Sequence, residues 1–304
     1  MPTLAAMGGD FIEIVEVGGR DGLQNEAVTV ATSDKIDLIG RVAAAGVPRI
    51  EVASFAHPKL VPQMADAEAV LEGLPTADSG YIGLVLNRRG LERALATSIH
   101  EINFVVSASE AFNEANQRAT IAETMGEIEA MVPEAAAAGM KTTVTVAVAF
   151  GCPFEGEVAA SRVVTLVERS VAAGADEVAL GDTIGVASPH DVAGRVGLLS
   201  EVLATTPLRC HFHDTRNTGI ANVVAAVEAG VKVIDASVGG TGGCPYAPNA
   251  TGNVPTEDVL YTLHRMGFVT GIDIEAMIAT GHWLATKLGK QLPSALGRAG
   301  PWPA

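Results

Sequence analysis

Eight times along this chain a short run rich in β-branched residues gives way to an Ala-rich stretch with apolar residues at helical spacing, often closed by glycine. The strand-like runs fall at 12–17, 49–54, 81–86, 101–106, 142–150, 177–181, 209–213 and 233–238. Helix-like stretches lie between them, among them 33–45 (opened by Ser33, closed by Gly46), 65–74, 120–138, 161–173, 189–203 and 220–229 (closed by Gly230). The runs read as continuously apolar, which predicts parallel strands covered on both faces. Eight strand–helix units predict an α/β fold, the (β/α)8 TIM barrel, with extra C-terminal helices. A doubly wound sheet also alternates, but no GxGxxG follows the first run.

One domain is expected over 1–304: a barrel over about 10–254, helices over about 255–290 with helical pattern at 257–266 and 274–288, and a tail over 291–304, loose from Gly297. Only 4% of the residues are aromatic, so the core must be built from Val, Ala, Ile and Leu. The 35 acidic against 20 basic residues leave a formal charge of −15, which opposes nucleic-acid binding and adhesion to anionic membranes. No apolar stretch is long enough to span a bilayer, and the first residues carry no signal-peptide or transit pattern. Cys152, Cys210 and Cys244 form no CxxC pair, so a reduced cytoplasmic setting is expected.

In a TIM barrel, chemistry gathers at the C-terminal strand ends. There this sequence places Arg20-Asp21, Glu51, Asp182, His211-Phe212-His213 and a loop with glycines at 239, 240, 242 and 243 beside Cys244. His-x-His on a strand points both imidazoles to one side, where they can ligate a divalent cation. An Asp from strand one and an amide oxygen such as Asn253 would complete a mixed N/O shell suited to Mg2+ or Mn2+. Each residue also has a plainer reading. The histidines can bond backbone or Asp214, Arg20 and Asp21 can be an ordinary ion pair, Glu51 a buried acid tied to Arg20, Asp182 a helix N-cap, and Cys244 an inert thiol. The glycine-rich loop reads as a closing lid.

With these residues in place, the chain from about 11 to 288 resembles the hydroxymethylglutaryl-CoA lyase family. The matching segments are VEVGGRDGLQNE at 15–26, EVASF at 51–55, VPQM at 61–64, GCPFEG at 151–156, LGDTIG at 180–185, HFHDT at 211–215 and SVGGTGGCPYAPNATGNVPTEDVLY at 237–261. Arg-Asp-Gly and His-x-His are shared with isopropylmalate and homocitrate synthases; the GGCPYA loop followed by GN is more specific to the lyase. The resemblance implies divalent-metal-dependent retro-Claisen cleavage of 3-hydroxy-3-methylglutaryl-CoA to acetyl-CoA and acetoacetate. It implies metal ligands Asp21, His211, His213 and Asn253, an enolate-stabilising Arg20, active-site acids Glu51 and Asp182, and a lid cysteine at Cys244; His211 could also move the proton. An acyl-CoA substrate and a homodimer are the expected partners.

Departures from the family pattern bear on the acyl group, among them Gly240-Thr241 where the lid commonly has Ala and Leu, and Asn249-Ala250-Thr251 where Gly-Ala-Ser is usual. The family usually has Tyr-Gly where Arg216-Asn217 stand, a serine at Ala179, and an arginine near Thr143. Arg216 is expected at the mouth of the site, where a guanidinium could pair with a carboxylate or a CoA phosphate. A lyase for another 3-hydroxyacyl-CoA, or an inactive metal-binding scaffold, are the competing readings.

Overall fold

The computed structural model describes residues 9–243 and 252–302. Eight parallel strands close into a barrel: β1 (Glu13–Glu16), β2 (Arg49–Ser54), β3 (Gly80–Val85), β4 (Glu101–Ser107), β5 (Lys141–Ala147), β6 (Glu177–Asp182), β7 (Leu208–Phe212) and β8 (Val233–Ala236). β8 returns to β1, setting Glu13 opposite Val233 and Glu16 opposite Ala236, so no strand edge is left open. The helices are α1 (Thr32–Ala44), α2 (Ala67–Gly73), α3 (Arg88–Leu95), α4 (Glu110–Gln117), α5 (Ile121–Ala137), α6 (Ala160–Ala172), α7 (Pro189–Leu203) and α8 (Gly219–Glu228), followed by α9 (Thr256–Arg265), α10 (Ile274–Leu288) and α11 (Ala295–Ala299). No helix among the described residues is long and apolar enough to cross a membrane.

The apolar core is the layer between barrel and helices. Strand residues Ile14, Ile50, Ile102, Phe104, Val144, Val178, Cys210 and Ile234 face it, fully or almost fully buried. They meet helix faces whose apolar residues recur at three- and four-residue intervals, such as Leu38, Ile39 and Val42 of α1 and Val163, Leu166 and Val167 of α6. Each such side chain contributes about 1.5–3 kcal/mol by leaving water.

The expectation of strands apolar on both faces fails inside the barrel. Alternation turns Glu13, Arg49, Glu51, Glu101, Asn103, Thr143, Thr145, Glu177, Arg209, His211 and Asp235 inward, and apolar inward residues are few: a small cluster of Val15, Val17, Ile82 and Val233, with Leu84 and Val105 nearer the mouth. At the N-terminal end, Arg49 reaches across the lumen. It donates to Glu13 (2.8 Å), to both oxygens of Glu177 (2.9 Å each) and to Glu101.

Two boundaries also differ from expectation. β5 stops at Ala147 rather than at residue 150, because Val148 takes φ +48° and gives its N–H to Thr183 Oγ1 at 2.8 Å. A two-stranded hairpin, Gly151–Cys152 with Gly156–Glu157, follows. The tail expected to be loose is pinned: α11 starts at the Ser294 N-cap, and Asp258 accepts from Ser294 Oγ, Ala295 N and Leu296 N at 2.7–2.9 Å.

Candidate active site

After β1 the chain makes one π-helical turn, Gly18–Gly22, with the Gly22 N–H donating to Val17 O at 3.1 Å. That wide turn presents Arg20 and Asp21 side by side. Glycine at 22 is required by a close approach, since a Cβ there would lie 2.4 Å from Thr241 Oγ1 in the loop after β8. Gly242 answers from that loop: its φ is +122°, and a Cβ would lie 2.6 Å from Asn253 Nδ2. The first contact keys the first loop of the barrel to the last, and the second packs the last loop against itself.

Arg20 donates through Nε to Glu51 Oε2 (2.8 Å) and through Nη1 to Asp21 Oδ1 (2.6 Å). Glu51 is buried, and its other oxygen accepts from Asn103 Nδ2 (3.0 Å); Asn103 Oδ1 in turn accepts from Thr145 Oγ1 (2.8 Å). Glu51 is therefore both tied to Arg20 and part of the site. A line of hydrogen bonds runs from β1 through β2 and β4 to β5.

Asp21 Oδ2 accepts from Asn253 Nδ2 at 2.8 Å and lies 3.9 Å from His213 Nε2. The His211 and His213 rings stand 5.1 Å apart, and His211 Nδ1 lies 3.1 Å from Asp235 Oδ2. His213 sits one residue beyond β7, where it bridges to Asn253. Neither imidazole bonds Asp214, whose Oδ1 instead accepts from Gly219 N at 2.8 Å.

Electrostatics prepare these groups for a cation. Burial raises the proton affinity of Asp21, but Arg20 and the two imidazoles outweigh it and hold the carboxylate down at about 2. Burial, reinforced by the neighbouring His211, pushes His213 down to about 4, so its imidazole is neutral near neutral pH. For His211 burial acts the same way but is outweighed by the hydrogen bond to Asp235, and its proton affinity rises.

One ligand atom each from Asp21, His211 and His213 fall within 4.8 Å of one another. His213 Nδ1 and Asn253 Oδ1 are buried with no hydrogen-bond partner, which is what nitrogen and amide-oxygen ligands look like without their ion. The donor set fits a hard or borderline divalent cation.

These residues open onto a cavity of about 150 Å³ at the C-terminal ends of the strands. Arg20, Asp21, His211, His213 and Asp235 line one side, and Leu84, Leu86, Val105, Phe112 and Thr145 the other. Asp182 does not face it in the same way. Its oxygens accept from Val186 N (2.9 Å) and Ala187 N (3.1 Å), so it caps the loop before α7, whose own N-cap is Ser188. Arg216 corrects the expectation made for it. Its Nη1 donates to the carbonyls of Ile184 (3.0 Å) and Gly185 (2.8 Å), it is exposed, and it is absent from the cavity lining, so it clamps the β6 loop. Cys244 lies outside the described residues.

Sequence reasoning missed Asn103, Thr145 and Asp235. The available signal was a polar residue at an inward register position of an apolar strand: Asp235 lies two residues from Val233 and pairs with His211 across β7. It also passed over two buried acids behind the site. Glu16 accepts from Gly18 N, Val238 N and Thr256 Oγ1 at 2.5–2.8 Å, and burial raises it to about 7. Glu257 is raised by burial to about 8.

Comparison with known proteins identifies the family. A family model described as HMGL-like matches residues 11–283. The hydroxymethylglutaryl-CoA lyase of Bacillus subtilis is 40% identical over 93% of this chain and 95% of its own length. The (R)-citramalyl-CoA lyase of Chloroflexus aurantiacus is also 40% identical, over 96% of each chain. A solved HMG-CoA lyase from A. baumannii, in complex with coenzyme A and 3-methylmalate, superposes with a TM-score of 0.93 at 40% identity, over 97% of this chain and 96% of that one. With the family model spanning residues 11–283 and relatives 40% identical over most of the chain, this chain belongs to the HMGL-like family, that of the hydroxymethylglutaryl-CoA lyases, and is a carbon–carbon lyase.

Proposed function

We propose that this chain is a single-domain, divalent-metal-dependent lyase that cleaves 3-hydroxy-3-methylglutaryl-CoA to acetyl-CoA and acetoacetate. The observation that carries the reading is the Arg20 guanidinium set against the Asp21, His211 and His213 cluster at one cavity. Asp21, His211, His213 and the Asn253 amide oxygen would hold Mg2+ or Mn2+, which when bound supplies Lewis-acid polarisation of substrate oxygens.

In the reaction the tertiary hydroxyl loses its proton, the bond between carbinol carbon and thioester α-carbon breaks, and the electron pair leaves as a thioester enolate that is then protonated on carbon. Arg20 is fixed by Glu51 and Asp21, so its remaining N–H groups are preorganised donors for the enolate oxygen. Asn103 and Thr145 hold Glu51 in turn. Because Asp235 takes Nδ1 of His211, the other nitrogen is either a ligand or a proton acceptor at any moment; ligation is the role assigned here.

The citramalyl-CoA lyase relative, as similar as the hydroxymethylglutaryl-CoA lyases, supports a second reading in which the carboxylate sits directly on the carbinol carbon. Incubation with Mg2+ or Mn2+ and a panel of 3-hydroxyacyl-CoA thioesters, with products identified by mass, separates the two. Acetoacetate from hydroxymethylglutaryl-CoA supports the first and pyruvate from citramalyl-CoA the second. Turnover undiminished by EDTA would remove the metal from both.

A further inference from the structure

We propose that Arg209 is a positioning residue for the cation site: from inside the barrel it holds the Asp235 carboxylate against His211, and so fixes which imidazole nitrogen faces the cation. The inference rests on the metal reading for its functional consequence, but its geometry stands alone.

Arg209 is 1% exposed, lies inside the barrel, and belongs to none of the groups that the chemistry above uses. Alternation on β7 stacks Arg209, His211 and His213 on one inward face, rising from the base of the barrel to its mouth. On β8, Asp235 pairs in register with His211, one step above the Val233–Arg209 pair. Arg209 Nε lies 3.3 Å from Glu177 Oε1 and 3.4 Å from Asp235 Oδ1. Glu177 is already held on both oxygens by Arg49, whereas Asp235 divides its oxygens between Arg209 and His211.

Neither Arg209 Nε nor Asp235 Oδ1 makes a formed hydrogen bond, so the pairing is one of charge at close range between buried groups, where screening is weaker than at the surface. A carboxylate buried at that depth needs a cation beside it. Remove that cation and Asp235 no longer has reason to remain an acceptor for the Nδ1 proton of His211. The imidazole can then exchange tautomers or turn, and the nitrogen offered to the cation is no longer defined.

The test uses the full chain with 15N-labelled histidine. In metal-free protein, under alkaline conditions that keep imidazoles neutral, the His211 nitrogens are expected to show one tautomer, with the proton on Nδ1. Arg209→Met should replace it with a mixture and weaken Mn2+ binding, followed by electron paramagnetic resonance, by about 10–100-fold. Arg209→Lys keeps a cation opposite Asp235 and should retain the wild-type tautomer. Should Arg209→Met fail to fold, Asp235→Asn is the second variant, with the same expected change in tautomer and Mn2+ affinity. Wild-type tautomer and wild-type Mn2+ affinity in a folded Arg209→Met, or in Asp235→Asn where that is the variant tested, would overturn the proposal. A wild type that takes up no Mn2+ would sink the metal reading instead, and the tautomer measurement would still decide on Arg209.

Discussion

Replacing Glu257 by Gln should change how stability responds to alkali. Glu257 is fully buried on α9, and both its oxygens accept from Gly239 N, at 2.9 and 3.0 Å. Gly281 of α10 presses so closely that a Cβ there would lie 2.4 Å from Oε1. Burial raises the acid from 4.5 to about 8. The folded chain therefore binds this proton more tightly than the unfolded chain, and the associated stability is fully present below pH 4.5 and is lost as pH rises through 8. At about 1.4 kcal/mol per pH unit the ceiling is about 5 kcal/mol, with a few kcal/mol expected once the interior relaxes. Gln keeps an acceptor for Gly239 N and cannot ionise. Urea denaturation at pH 6 and pH 9 samples about two of those pH units, so the wild type should lose up to about 3 kcal/mol more than Glu257→Gln, while Glu16 titrates in both proteins and largely cancels. Parallel losses in the two proteins would refute the reasoning. Since Gly239 begins the turn that leads to Thr241 and Asn253, alkali should loosen this loop first.

Arg20→Gln should lower turnover by about 10²–10³ with a smaller change in KM, because the charge it meets develops in the transition state; near-wild-type turnover in a steady-state assay would reduce Arg20 to an ion-pair partner. His213→Ala should abolish Mn2+ binding, measured by calorimetry, while the urea midpoint shows a folded protein, since the layer between barrel and helices does not depend on that imidazole. The double change Arg216→Tyr with Asn217→Gly should leave the order of thioester preference intact, since Arg216 serves backbone carbonyls outside the cavity and Asn217, at φ +58°, already holds a conformation glycine accepts readily. A reversed order of kcat/KM would show that this loop reads the acyl group.

The alternation of strand and helix made the barrel legible, because helical spacing and β-branched runs are local signals. α10 was placed to the residue and β2 likewise. The cluster Asp21, His211, His213 and Asn253 was legible because two of its members share one strand face and the strand-end rule gathers the others. The polar lumen was not. A run such as the one containing Asp235 reads as apolar when its two faces are averaged, and only closure of the barrel shows that its inward positions meet Arg209 and His211 rather than a helix. Arg216 misled for a related reason: sequence places it just beyond the strand that carries His211 and His213 but cannot give the direction of its guanidinium, which the carbonyls of Ile184 and Gly185 decide.

The keyed contact between Gly22 and Thr241, with Gly242 against Asn253, divides the pocket into halves of unequal mutability. On the half built from the first and last loops, a side chain added at Gly22 would strike Thr241 and one added at Gly242 would strike Asn253, so the residues proposed to hold the cation would shift. Leu84, Leu86 and Val105 on the other half line the cavity without that fit, and each can change size or polarity one residue at a time, whereas Thr145 beside them is tied through Asn103 to Glu51. Lineages that keep the bond-breaking chemistry while exchanging one acyl group for another therefore have their room for experiment on the β3–β4 wall. That is where two equally similar relatives acting on different thioesters should be compared first.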